Sequence, residues 1–447
     1  MSIDANPSIK EIATTFGDTP PYSMSELYGL NFSSGNAVTS GTISLSGFRN
    51  KTVESILDET KVWSSDGAAG DYFGISVSIS DDGSTVVVAT DRHEDNRGAA
   101  YIFEKVNGVW TQMAKLTASD RASFDKFGRS LTISGDGSTV VVSARQVDNF
   151  NGAVYIFNKG GSGWSSMTET VKLTTSDVEY LDEVGSSLSI SGDGSTFVVG
   201  VHADDNRKGS AYIFDEEGGV WTETVKLTSS DGVEDDVFGW YVAISDDGST
   251  VVVGAYDDGN GLGGAYIFEK VNGVWTEMAK LTSTDNVGPN NFGSSVSISG
   301  DGSTVVVGAS RDDTYTGATY IFEKGVSGWS SMTETAELTT SDVLGTYSRF
   351  GESVSISNDG SKAFVGAEGV DAVYIFEKGG SGWSSMTETT KLTASDAGDD
   401  SFGGRVSISG DGSVFVVGAY LDHITTNGVQ KDYQGSAYIY ETRYFVN

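Results

Sequence analysis

The sequence predicts an all-β fold, a seven-bladed β-propeller of four-stranded blades. Three observations predict it: a Phe-Gly phrase that recurs along the chain, a strand-like alternation after each copy, and a last copy that lacks its final strand. The Phe-Gly pair stands at Phe73-Gly74, Phe127-Gly128, Phe238-Gly239, Phe292-Gly293, Phe350-Gly351 and Phe402-Gly403, with Val184-Gly185 as a seventh copy. Blades are therefore expected to start near 73, 127, 184, 238, 292, 350 and 402, at intervals of about 52 to 58 residues.

The fifth copy shows the elements in order. Phe292-Gly-Ser-Ser-Val-Ser-Ile-Ser alternates with period two, as a strand with two different faces does. The Gly300-Asp-Gly-Ser that follows is a hairpin signal, because glycine tolerates the positive φ of a tight turn. Thr304-Val-Val-Val-Gly-Ala is β-branched and apolar on both faces, so it belongs between neighbouring sheets. Thr319-Tyr-Ile-Phe-Glu supplies a third strand, and Trp329 through Leu338 a fourth.

The chain ends fix the closure. The seventh copy runs through Ala437-Tyr-Ile-Tyr to Asn447 without a Trp-containing fourth strand. Residues 53–66, ending Lys61-Val-Trp-Ser-Ser-Asp66, match the tail of that strand as it stands in Lys115-Leu-Thr-Ala-Ser-Asp120. An N-terminal strand within 53–66 is expected to complete the last blade and close the ring, which an open solenoid does not need. The domains are then a docking segment, 1–52, and a propeller, 53–447.

At these residues the chain resembles the FG-GAP repeats of integrin α-subunit heads and of many bacterial and viral surface proteins. The resemblance covers roughly residues 61–447 and implies the propeller. Repeats of the integrin type hold calcium in an Asp-rich loop between the first two strands. Here the corresponding residues of the fifth copy are Ser297, Ser299, Asp301 and Val305. One carboxylate falls short of the about six to eight oxygen ligands calcium takes, so the loop reads as a plain turn and no metal is expected there. Sialidase Asp-boxes fail to match, since glycine directly follows Asp and no Trp comes after. WD-repeat propellers lack the Phe-Gly start.

Charge excludes several partners. With 28 Lys plus Arg against 62 Asp plus Glu, the formal net charge is −34, which repels phosphate backbones and anionic lipid. Neither nucleic acid nor membrane insertion is expected. The absence of cysteine removes disulfides, thiolate nucleophiles and cysteine-ligated metals. His93, His202 and His423 fall in different blades, so neither a triad nor a metal spacing emerges, and no catalytic residue or cofactor is assigned. The expected protein is not an enzyme.

Strand order places the loops before each Phe-Gly and after each Val-Gly-Ala on one face. That face varies from blade to blade, while the opposite one nearly repeats itself, as at 161–170 and 380–389. Candidate binding residues therefore come from the variable face: Asp204, Asp205, Asp257, Asp258, Asp312 and Asp313 as acidic pairs, with Trp240, Tyr256 and Tyr315 as aromatic contacts. Solvated charge is the commoner reading of the pairs, and coordination of a divalent cation the alternative. Tyr72, Phe150, Tyr180 and Tyr347 belong to the same loops.

Residues 1–52 differ in character, with a net charge of −1. Ile9-Lys-Glu-Ile-Ala-Thr-Thr-Phe-Gly, Tyr22-Ser-Met-Ser-Glu-Leu-Tyr-Gly and Thr42-Ile-Ser-Leu-Ser-Gly-Phe-Arg suggest short helical turns ended by glycine. Too short to bury a core, the segment is expected to dock on another protein or to oligomerise. These phrases resemble short elements of structural proteins of tailed phages, particularly marine ones. The resemblance implies a virion exterior protein, on tail or fibre, held by residues 1–52 to other virion proteins and presenting the propeller to host-surface glycan or protein. No secretory signal is expected, since the first residues have neither a basic start nor an apolar run. The alternative is a polysaccharide-binding lectin or depolymerase built on the propeller.

Overall fold

A computed structural model describes residues 31–32 and 53–446, apart from 285–288, 343–344, 397, 399 and 427. It comprises two compact units, residues 60–439 and a smaller one of 1–59 with 440–447. In the smaller unit Asn31–Phe32 runs parallel to Phe445–Val446. The remainder of segment 1–52, with its expected docking role and helical turns, lies outside the described residues.

The larger unit is a seven-bladed β-propeller. Blade one consists of Ser76–Ile79, Thr85–Thr90, Ala99–Val106 and Val109–Thr117, paired antiparallel in that order from the channel outward. The innermost strands of the other blades are Phe127–Ile133, Leu188–Ile190, Tyr241–Ile244, Phe292–Ile298, Phe350–Ile356 and Arg405–Ile408. Every residue of second strands such as Thr139–Ala144 and Thr304–Ala309 is buried, as expected of strands sandwiched between blades. The Phe of each Phe-Gly packs edge-on against the third strand of its blade, for example Phe238 on Tyr266 with centroids 5.5 Å apart.

The Ser/Val alternation of the innermost strand has a specific cause. Serine hydroxyls of one blade accept backbone N–H groups of the next: Ser76 from Leu131, Ser78 from Ile133, Ser187 from Val242, Ser189 from Ile244, Ser297 from Ile356 and Ser353 from Val406, at 2.9–3.2 Å. The valines face the core while the serines satisfy buried donors across blades.

The Asp-Gly turns are equally self-contained. In each, the Asp carboxylate accepts the preceding Ser hydroxyl and the following Ser N–H, as Asp301 does from Ser299 at 2.7 Å and Ser303 at 2.9 Å. These bonds hold the Asp301 carboxyl below its ordinary range against the opposing effect of burial. The residue before each Asp joins a backbone ring around the channel at the end that carries the Asp-Gly turns. N–H groups of Asp81, Asp136, Gly192, Asp246, Gly300, Asn358 and Gly410 bond carbonyls of Gly135, Gly192, Asp246, Gly300, Asn358, Gly410 and Asp81, at 2.8–3.1 Å. Of the seven residues that precede the Asp-Gly pairs, three carry side chains, Asp81, Asp246 and Asn358, and the other four are glycine. A Cβ on Gly135 would lie 2.0 Å from Asp81 Oδ2 and 3.0 Å from the Gly192 Cα, so a side chain there would crowd the ring.

The strand Val53–Val62 pairs with Ser436–Val446, so the expected fourth strand of the last blade is present and ends four residues before Asp66. Within the larger unit, Lys61 Nζ reaches both Asp396 and Asp422 at 2.6 Å, and Val62 is buried among Val416, Ala437 and Ile439.

One element departs from expectation. In blade five the segment from Trp329 is not one strand: Met332–Thr333 pairs in parallel with Leu281–Thr282 of blade four, and Ala336–Thr339 forms the fourth strand. Met167–Thr168 and Met386–Thr387 do the same. Gly328, at φ 95°, turns the chain so that Trp329 Nε1 bonds Gly302 O at 3.1 Å, and the segment leaves its own sheet for the neighbouring one.

Candidate functional site

The variable face is built from two kinds of loop. After the second strand, blades one to three turn through three consecutive left-handed residues, with φ of 50°, 56° and 64° at Asp205, Asn206 and Arg207. Asp and Asn tolerate this conformation better than most residues, which accounts for the Asp-Asn phrases there. The turn ends on a glycine whose backbone abuts the next Phe-Gly: a Cβ on Gly209 would lie 2.0 Å from Phe238 O.

This geometry assigns the acidic pairs. Asp204 is buried and takes Lys226 Nζ at 2.7 Å. Asp258 is buried with Lys280 Nζ at 2.6 Å and the Tyr266 hydroxyl at 2.8 Å. Asp312 accepts the Tyr320 hydroxyl at 3.2 Å. One carboxylate of each pair, Asp204, Asp258 and Asp312, is thus engaged within the blade, where an incoming cation would have to displace a lysine or a tyrosine. Asp205 is exposed, Asp257 half-buried, and the side chain of Asp313 lies outside the described residues. Among the described residues no group of three or more His, Asp or Glu side chains is placed to hold a metal ion. Nor, among them, is any helix long and apolar enough to cross a membrane.

The aromatic candidates divide. Tyr315 stacks on Tyr347 with centroids 5.2 Å apart, and Tyr347 stays 61% exposed. Tyr180 and Phe124 are 69% and 63% exposed, large apolar surface on an acidic face. Tyr72 lies under the Arg92 guanidinium at 3.8 Å. Trp240 and Tyr256 meet edge to face at 5.0 Å, and Trp240 also meets His202 at 4.9 Å.

Trp240 and Tyr241 line the channel, which holds a cavity of about 280 Å³ with Arg129, Arg145, Glu352 and Arg405. An adjoining cavity of about 210 Å³ shares Trp240 and Glu352 and reaches Tyr256. The residue after Phe-Gly and the residue after the second strand recur at corresponding places in each blade, and of these Arg129, Arg145, Ser186, Trp240, Tyr256, Ser294, Ser310 and Glu352 line the two cavities. The pairs are Ile75 with Asp91, Arg129 with Arg145, Ser186 with His202, Trp240 with Tyr256, Ser294 with Ser310, Glu352 with Glu368, and Gly404 with Tyr420. Ser186 Oγ hydrogen-bonds His202 Nδ1. Burial, then the positive field of Arg145 and Arg207, pulls the His202 imidazole down to about 4, so it is neutral at pH 7. Burial pushes the Glu352 carboxyl up, against the pull of Arg405.

Sequence reasoning placed Trp240 and Tyr241 near the channel but missed Arg129, Arg145, Glu352, Glu368, Arg405 and Tyr420. The signal was available for three of them: Arg129, Glu352 and Arg405 stand after Phe-Gly where other blades place serine.

A repeated scaffold with a polar, blade-specific mouth defines a β-propeller that presents side chains at one end of its channel. The FG-GAP repeat family matches residues 57–103, 110–157, 167–214, 221–268, 275–322 and 386–440, and the chain belongs to that family. Each matched stretch begins on or just before a fourth strand and ends in the next blade, so the repeat unit straddles two blades. The three inner strands of blade six fall outside the matches. That blade replaces the left-handed turn with a short 3-10 turn at Glu368–Val370, which shortens its variable loop. No curated protein matches the chain.

Proposed function

We propose that this chain is a virion structural protein of a tailed phage, tail- or fibre-associated, whose propeller attaches to host-surface glycan or protein. The observation that carries the binding role is the contrast between one scaffold built seven times and a mouth that differs in every blade. A purely structural ring has no need of Arg129, Trp240 and Glu352 where blades three, five and seven place Ser186, Ser294 and Gly404. Exposed Phe124, Tyr180 and Tyr347 extend the same surface outward, as aromatic anchors of carbohydrate or protein partners do. The likeness of residues 1–52 to phage structural elements supports the virion setting.

Deleting residues 1–52 is expected to leave the propeller folded and to abolish its incorporation into particles; normal incorporation overturns the anchoring role. Purified propeller added to host cells is expected to reduce particle adsorption, and undiminished adsorption at saturating propeller overturns the attachment role. Shortened chains after incubation with host polysaccharide would favour a depolymerase.

A further inference from the structure

We propose that the mouth of the channel is a pocket for a sugar acid, a single pyranose bearing a carboxylate, with Arg129 and Arg405 holding the anion and Trp240 and Tyr241 the ring. The inference rests on the binding role proposed above and names its ligand class.

The repeat itself shows which side chains are departures. The second residue after Phe-Gly is serine in five blades, Ser76, Ser130, Ser187, Ser295 and Ser353. Three of these hydroxyls, Ser76, Ser187 and Ser353, take a backbone N–H of the next blade. Ser295 instead donates to Gly351 O at 2.8 Å. Blades four and seven forgo this bond and place Tyr241 and Arg405 in the channel. One position earlier, Arg129, Trp240 and Glu352 stand where blades three and five have Ser186 and Ser294. All five large side chains are half-buried and line one cavity.

Their chemistry converges on one kind of ligand. Arginines are scarce in a chain of net charge −34, yet three of them line this cavity. Arg145 has a carboxylate partner, Glu183, at 3.5 Å. Among the described residues neither Arg129 nor Arg405 is ion-paired. Burial and the repulsion of Arg405 and Arg145 act together on Arg129, a cost that a bound anion relieves. Guanidinium groups match carboxylates in a bidentate fork, and aromatic faces stack on the apolar side of a pyranose. Glu352 adds an acceptor for hydroxyl groups, which a bare inorganic anion cannot use. A volume of about 280 Å³ sits at the small end of the range for ligand pockets and suits one monosaccharide. The far end is closed in by the backbone ring with Asp81, Asp246 and Asn358, and the two carboxyl groups among them disfavour an anion there.

The test is a titration of the intact protein with glucuronate, glucose and inorganic sulfate, read by calorimetry and by tryptophan fluorescence. Glucuronate is expected to bind at least about tenfold more tightly than either of the others. Arg129→Ser and Arg405→Ser restore residues the other blades already use, so both are expected to fold, and each is expected to weaken glucuronate at least about tenfold. Trp240→Phe is expected to remove the fluorescence response. Sulfate binding as tightly as glucuronate, or affinity unchanged in both arginine variants, overturns the proposal. Absence of sugar-acid binding by a protein that still blocks particle adsorption also overturns it, while leaving host attachment standing.

Discussion

The carboxyl of Asp246, in the backbone ring, is pushed up to about 6 by burial, then by the negative charges of Asp81 and Asp247. In an unfolded chain an Asp titrates near about 3.9. The folded state keeps this proton through a window in which the unfolded chain has lost it. The stabilisation this provides is complete below about pH 4 and is lost as pH rises through about 6. His202 acts in the opposite sense. Its folded value of about 4 lies below the free imidazole, so its contribution is present above about 6.5 and is lost as pH falls through about 4. The two groups offset each other between pH 4 and 6.5. Asp246→Asn removes one of them and is expected to raise stability at pH 7.5 by on the order of 1 kcal/mol, allowing for solvent screening. Its advantage is expected to shrink toward pH 4.5, where the parent carboxyl is protonated. Melting curves at pH 7.5, 6.0 and 4.5 check this, and a constant gap between variant and parent across the series counts against it.

Individual strands show what a single repeat can and cannot reveal. Period-two alternation after Phe-Gly correctly gave a two-faced strand, and the Val run correctly gave a strand buried on both sides. The reason for serine was not legible, because its partner is an N–H about 55 residues away in the next blade. The same holds for the acidic pairs: Asp204 looks like a free ligand until Lys226, a full strand pair later, is seen to reach it. The serine bonds can be measured directly. Ser187→Ala leaves the Val242 N–H without its acceptor in a buried position, with an expected cost of about 1–2 kcal/mol. Ser195→Ala, in an exposed turn, is expected to cost at most about 0.5 kcal/mol. Denaturant unfolding of the two variants makes the comparison; equal losses would mean that the cross-blade bond contributes nothing of its own.

For the whole molecule, the count of blades and the means of closure were legible, because a missing strand at one end and a spare one at the other can be matched by their residues. The mouth was not, since a channel gathers side chains that stand one repeat apart and share no local pattern. Closure also carries the clearest mechanical expectation. Lys61 joins Asp396 and Asp422, and Val62 enters the core shared by the last and first blades. A chain beginning at residue 67 loses these contacts and leaves the third strand of blade seven as an open edge, which favours pairing with other chains. A chain beginning at residue 53 keeps them. The shorter chain is expected to melt at lower temperature, with a transition that depends on protein concentration, whereas the longer one melts independently of concentration. Because the lost strand is a separate piece of polypeptide, a synthetic peptide of residues 53–66 is expected to restore part of the lost melting temperature. Its binding free energy adds to the folded state alone. Identical melting of the two chains, with no response to the peptide, would mean that the ring holds without its N-terminal strand.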